Sequence, residues 1–125
     1  MKIDRELVRQ KFGGNCSYCG CELDKRFHCD HLKPIVRSKS TNKLEKPEND
    51  NLENLMPSCP SCNVIKNSNS LEEFRRIIKQ FVFSLNNYST QYKFAKKYGL
   101  IQENDIQIKF HFEKYEMQGK EEMGN

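Results

Sequence analysis

Ile3, Leu7, Val8 and Phe12 recur at helical spacing behind Asp4, which predicts a short N-capped helix ending at Gly13-Gly14. Cys16-Ser17-Tyr18-Cys19-Gly20 follows as a tight knuckle, with Gly20 available for a left-handed turn. Residues 21–23 and 27–32 read as the two strands of a β-hairpin across Asp24-Lys25-Arg26, and Pro34 limits further pairing. Residues 37–53 are polar and read as an exposed loop. A second knuckle, Cys59-Pro60-Ser61-Cys62, leads into a short segment reaching about Lys66. Ser70-Leu71-Glu72-Glu73 is a capping box, and Leu71, Phe74, Ile77, Ile78, Phe81, Val82 and Leu85 fall on one side of the helix it opens. A shorter helix over residues 91–98 is stopped by Gly99. Ile106, Ile108, Phe110 and Phe112 then alternate with polar residues, the pattern of a half-buried strand, before a polar tail. There is no internal repeat.

Composition narrows the class. The 125 residues suit one domain, but with 36% hydrophobic and 30% charged residues the core is lean, and lean small domains usually carry a staple. Six cysteines supply the candidate. No run approaches the ~18 apolar residues of a membrane span. Met1-Lys2-Ile3-Asp4-Arg5-Glu6 is charged where a secretory signal would turn apolar, so a cytoplasmic protein with metal-bound thiolates is expected rather than a disulfide framework. The net charge of +4 is unevenly spread: residues 74–99 hold six basic residues and no acid, whereas residues 47–73 hold Lys66 against five acids. Basic blocks suit a polyanion partner, although a solvated lysine-rich surface explains them equally well.

Cys16-x-x-Cys19 and Cys59-x-x-Cys62 are separated by 39 residues. A two-residue spacer lets both thiolates of a knuckle reach one ion, and two knuckles complete a tetrahedral Cys₄ zinc site. Four thiolates leave no open position, so such zinc is structural; reduced core thiols or a redox pair are the weaker alternatives. Asp30-His31 lies between the knuckles, and by itself would be read as a surface turn or a satisfied pair. Its frame changes that weighing, because Asn54 precedes Cys59 by five residues and Asn63 directly follows Cys62.

Taken together, Cys16-x-x-Cys19, Asp30-His31-x-x-Pro34, Glu53-Asn54-Leu55 and Cys59-x-x-Cys62-Asn63 resemble the HNH endonuclease family over about residues 13–67. The third signature position, often His in that family, is Asn63 here, as in its His-Asn-Asn variant. The resemblance implies an α+β protein with a zinc-bound ββα-metal (treble-clef-like) nuclease core. By the same resemblance His31 is the general base that activates water against a phosphodiester, and an imidazole can accept a proton near neutrality. Asp30 and Asn63 would hold one divalent cation, and oxygen ligands suit Mg²⁺ or Mn²⁺. Asn54 would tie down the loop that orients His31. Lys66, three residues beyond Asn63, is placed for a phosphate contact or for solvent with equal weight. Cys21 and Cys29 would face each other across the hairpin as buried free thiols.

Beyond this core, Arg75, Arg76 and Lys79 flank the apolar stripe and are expected to meet DNA phosphates. The expected organisation is a nuclease core over residues 1–69, with a helical extension over 70–125 that ends in a strand and packs on it as one unit. The expected activity is metal-dependent hydrolysis of DNA, double-stranded by preference, leaving 5′-phosphate ends. The alternative is a non-catalytic zinc-knuckle module that binds nucleic acid. Monomer and homodimer remain open, and no membrane partner is expected.

Overall fold

The computed structural model describes residues 3–35, 40–41, 43 and 47–115. Asp4 caps α1 (Arg5–Arg9) by accepting from the Leu7 amide at 3.2 Å, and a 3₁₀ turn continues to Phe12 until Gly13 turns left-handed at φ 68°. Val8 and Phe12 are buried, but Leu7 is 59% exposed, so the inward side of this helix is narrower than its apolar residues suggest.

The expected hairpin between 21–23 and 27–32 does not form. Residues 14–23 instead close on themselves: the Cys16 amide donates to the Cys21 carbonyl at 2.8 Å and the Leu23 amide to that of Gly14 at 3.0 Å. Backbone groups satisfied inside the knuckle leave nothing for a ladder with residues 27–32. Strand β1 (His28–His31) therefore finds its partner far along the chain, in β2 (Leu55–Ser58), with which it pairs antiparallel. The register sets His28 opposite Ser58 and His31 opposite Leu55. Cys21 and Cys29 accordingly do not face each other across a hairpin. Between the strands, the described part of the polar loop contains two 3₁₀ turns, Pro47–Asn49 and Leu52–Asn54; residues 36–39, 42 and 44–46 of that segment lie outside the described residues.

Helix α2 (Pro60–Lys66) starts directly after β2, with Cys59 as its N-cap and Pro60 in the first turn, where a missing N–H costs nothing. Ser70 caps α3 (Leu71–Tyr88) through the Glu73 amide, and Ser89 caps α4 (Thr90–Lys97), which ends before Gly99 at φ 77°. The core cannot cover the whole α3 stripe. Phe74 is buried, and Leu71 and Ile78 pack at the core margin, but Phe81, Val82 and Leu85 are exposed.

The expected strand at 106–112 is absent. Ile106 is 66% exposed, and only the end of the segment docks, where the His111 and Phe112 amides donate to the carbonyls of Tyr18 and Ser17 at 3.0 and 2.8 Å. Alternation carries Phe110 and Phe112 into the core, but their backbone partner is the knuckle loop rather than a strand, and residues 111–115 turn helical. Phe74 and Phe110 stack at 5.1 Å, and Tyr18 meets both rings edge-on at 5.4 and 5.6 Å. The result is a small α+β fold with a two-stranded sheet, in which C-terminal aromatics cover the first knuckle. Among the described residues no helix is long and apolar enough to cross a membrane.

Candidate functional site

Two adjoining sites are built on this frame. The first is a cluster of thiols. Gly20 at φ 83° closes the first knuckle, and the His111 ring packs so closely that an added Cβ would lie 3.1 Å from its Nδ1. The second knuckle is the first turn of α2, where the Cys59 sulfur accepts the Cys62 amide at 3.4 Å. The sulfurs of Cys16, Cys19, Cys21 and Cys59 all lie within 4.8 Å of one another. Cys62, the fourth ligand expected from the spacing, is outside this set and stands beside it, one turn on from Cys59. Sulfurs around a tetrahedral zinc at ~2.3 Å would be about 3.8 Å apart. Cys19 and Cys59 are 3.8 Å apart, so the cluster fits a thiophilic ion. The Cys62 thiol, followed by backbone amides of Cys59, Cys19 and Tyr18, draws Cys16 down to about 4 against the opposing effect of burial. Burial, with Cys19 next, pushes Cys21 up to about 12. Cys29 is partly buried and its thiol is raised by burial.

The second site is a cleft of about 210 Å³ lined by Asp30, His31, Pro34, Ile35, Asn63, Asn67 and Ser68. Drug-sized ligands take ~300–1,000 Å³, so this volume suits a phosphate and its hydrated ion better than a larger organic molecule. Neighbouring strand residues point to opposite faces, but His31 is the last residue of β1, and at this end of the sheet both it and Asp30 reach the cleft. Asn63 reaches it from α2, and among the described residues no hydrogen bond uses its side-chain amide.

Asp30 is 8% exposed, and its Oδ2 accepts two hydrogen bonds, from the Tyr18 hydroxyl at 2.6 Å and from the Lys66 ammonium at 2.9 Å. Its Oδ1 has no partner among the described residues and is left for the cleft. Burial, and then the Asp30 charge, push the Tyr18 phenol far above its usual range, so it remains a donor. Lys66 does not reach out as a phosphate contact. Its side chain is 0% exposed, and besides Asp30 its Nζ bonds the His31 carbonyl at 2.9 Å and lies 5.9 Å from the Tyr18 ring centroid. An ammonium buried this deeply needs a full set of partners, and all of these lie inward.

His31 Nε2 lies 3.0 Å from Asp50 Oδ1. An ionised carboxylate only accepts, so Nε2 is the donor of this pair, and in the neutral ring the lone pair is then on Nδ1. Asn54 fixes the two flanking segments. Its Oδ1 accepts the Lys33 amide at 2.8 Å, its Nδ2 donates to the carbonyls of Lys33 and Asn49 at 2.8 and 2.6 Å, and its own carbonyl accepts the Leu32 amide at 2.9 Å. One side chain thus joins the segment leaving His31 to the segment entering Asp50.

The basic trio divides. Arg75 turns inward, pairing with Glu113 at 2.7 and 2.9 Å, bonding the Ile108 carbonyl at 2.7 Å and covering the Phe110 ring at 4.7 Å. Those contacts clamp the C-terminal segment and leave Arg75 little reach towards a phosphate. Arg76 and Lys79 stay exposed, beside Glu73 and Asp105 respectively. Sequence reasoning missed Tyr18, Asp50 and Cys21. A tyrosine inside a knuckle and the Cys19-x-Cys21 spacing were visible hints, whereas nothing marks Asp50 within its polar loop.

A thiol cluster that could hold a metal ion is thus set beside a polar cleft lined by a carboxylate and an imidazole from β1 and an amide from α2. The family model described as HNH endonuclease matches residues 16–69, so this segment is similar to HNH endonuclease domains. That family implies a nuclease. Searches of curated proteins and of solved structures returned no match.

Proposed function

We propose that this protein is a metal-dependent endonuclease that hydrolyses DNA phosphodiester bonds, with β1, β2 and α2 as a zinc-stapled ββα-metal unit. The reading rests chiefly on the convergence of Asp30, His31 and Asn63 on one small cleft inside the matched segment. Asp30 through Oδ1, which has no partner among the described residues, and Asn63 through its amide oxygen would hold one Mg²⁺ or Mn²⁺, hard ions that prefer such donors. Bound there, the ion supplies charge stabilisation to the phosphate and the leaving 3′ oxygen. His31 takes the proton of the attacking water on Nδ1, while Asp50 holds Nε2–H and stabilises the imidazolium that forms. Asn54 keeps the ring and Asp50 in register through Lys33 and Asn49. Lys66 and Tyr18 hold the Asp30 carboxylate so that one oxygen is presented. Duplex DNA is the preferred substrate, and the product keeps a 5′-phosphate. Arg76 and Lys79 would meet backbone phosphates at a distance from the cleft.

Supercoiled plasmid incubated with purified protein tests this, with Mg²⁺, with Mn²⁺ and with no added divalent ion, alongside an RNA substrate. Ion-dependent nicking is expected, and it should fall by ~10²–10⁴-fold in His31→Ala while zinc content and DNA affinity persist. Binding without cleavage of either nucleic acid would instead identify a non-catalytic module. Cleavage by His31→Ala at the wild-type rate would overturn the assigned base.

A further inference from the structure

Four sulfurs share one space, as a tetrahedral ion needs, and a fifth thiol, Cys62, stands beside them. Spacing pairs Cys59 with Cys62, yet the sulfurs of Cys16, Cys19, Cys21 and Cys59 already lie within 4.8 Å of one another. Cys21 is one of these four, and Cys62 stands beside them in the first turn of α2, where its amide donates to the Cys59 sulfur at 3.4 Å. The three shared sulfurs, Cys16, Cys19 and Cys59, therefore have two candidates for the fourth vertex. Both candidates stand on fixed backbone. Residue 21 is tied to Cys16 by the amide-to-carbonyl bond at 2.8 Å and follows the left-handed Gly20, while Cys62 sits in the capped first turn of α2.

We propose that this is a five-thiol metal site, in which Cys16, Cys19 and Cys59 hold Zn²⁺ throughout and Cys21 and Cys62 alternate as the fourth ligand. The proposal rests on the cluster being the structural zinc site and is independent of whether the cleft cuts DNA. On exchange one zinc–sulfur bond forms as another breaks; the incoming thiol gives up a proton, the outgoing thiolate recovers one, and no oxidant is involved. The chain then tolerates loss of either alternating ligand but of none of the three constant ones.

Competition between reduced protein and a chromogenic chelator for Zn²⁺ tests the claim, with Co²⁺ as spectroscopic substitute. If the two arrangements lie within a factor of ten, Cys21→Ser and Cys62→Ser each lower affinity by less than about tenfold and keep a four-thiolate cobalt spectrum. The double variant loses charge-transfer intensity and binds far more weakly, as does Cys59→Ser alone. A Cys62→Ser variant as damaged as Cys59→Ser, beside an unaffected Cys21→Ser, overturns the proposal in favour of a fixed four-cysteine set. The reverse pattern overturns it equally. Should a variant fail to fold, alkylation of wild-type protein carrying one Zn²⁺ decides: apart from Cys29, adducts must divide between Cys21 and Cys62, never both on one chain. Modification confined to one of the two refutes exchange, and failure of wild-type protein to retain any zinc removes its premise.

Discussion

Replacing Lys66 with methionine keeps its length and removes its charge, leaving Asp30 with Tyr18 as its remaining partner. At 2.9 Å the attraction between the two charges is ~6 kcal/mol for an effective dielectric near 20, and burying each ion costs several kcal/mol, so the intact pair is close to neutral for stability. Breaking it is not neutral, because removing one partner of a buried pair typically costs ~3–5 kcal/mol. The Tyr18 hydroxyl at 2.6 Å still satisfies Oδ2, which argues for the lower end, about 3 kcal/mol. For a chain of this size that lowers Tm by roughly 12 °C. The carboxylate left behind should also bind a divalent cation more tightly, since the fixed ammonium no longer competes for it. Thermal unfolding followed by circular dichroism, with zinc retained and with or without added Mn²⁺, reads both effects. The expected result is a large loss of Tm in Lys66→Met that Mn²⁺ partly restores, as a ligand binding only the folded state must. Asp30→Asn combined with Lys66→Met should be less destabilised than the two single effects added. A variant within about 1 kcal/mol of wild type and indifferent to Mn²⁺ would show that Lys66 is not the counter-charge of Asp30.

Three further outcomes are expected. Asp50→Asn removes the charge that orients His31, so single-turnover cleavage should fall ~10–100-fold with zinc content unchanged, and an unaltered rate would dismiss the His31–Asp50 pair. Arg76→Gln with Lys79→Gln should weaken binding to unrelated duplexes alike and flatten its salt dependence, and an unchanged slope would put this flank away from DNA. Arg75 holds the Glu113 carboxyl below its usual 4.5, so the tie between them is complete above that value and is lost as pH falls through the depressed folded value. Glu113→Gln should therefore abolish part of the acid sensitivity of Tm, and an identical acid limb in both proteins would contradict the clamp.

What could be read from the sequence was what is decided locally. Asp4, Ser70 and Gly99 act on backbone within a turn of themselves, and each lies at the helix boundary its chemistry predicts. Strand pairing is decided elsewhere. The partner of 28–31 is 55–58, more than twenty residues away, and no periodicity within the first segment announces it. Phe110 and Phe112 were legible as buried, but alternation cannot distinguish a strand in a sheet from a segment docked on a loop. Lys66 failed for a related reason. Lysine is almost never fully buried, so its type points outward until a carboxylate, a carbonyl and an aromatic face are brought around it. Asp50 has no signature because its role exists only once Asn54 has drawn its segment towards β1.

The thiol cluster and the cleft are joined by more than proximity. Tyr18 stands between Cys16 and Cys19; its amide donates to the Cys16 sulfur, its carbonyl accepts from His111, and its hydroxyl ends on Asp30. On the other side, Cys59 caps the helix that carries Asn63 one residue past Cys62 and Lys66 one turn later. The two groups assigned to the cation, one on β1 and one on α2, are thus each a short rigid step from a different knuckle. The elements between them are a two-stranded sheet and a seven-residue helix, too short to hold a geometry alone. An ion held by both knuckles would fix their separation, and through Tyr18 and α2 the spacing of Asp30 and Asn63. Loss of that ion should therefore disorder the cleft even where secondary structure survives.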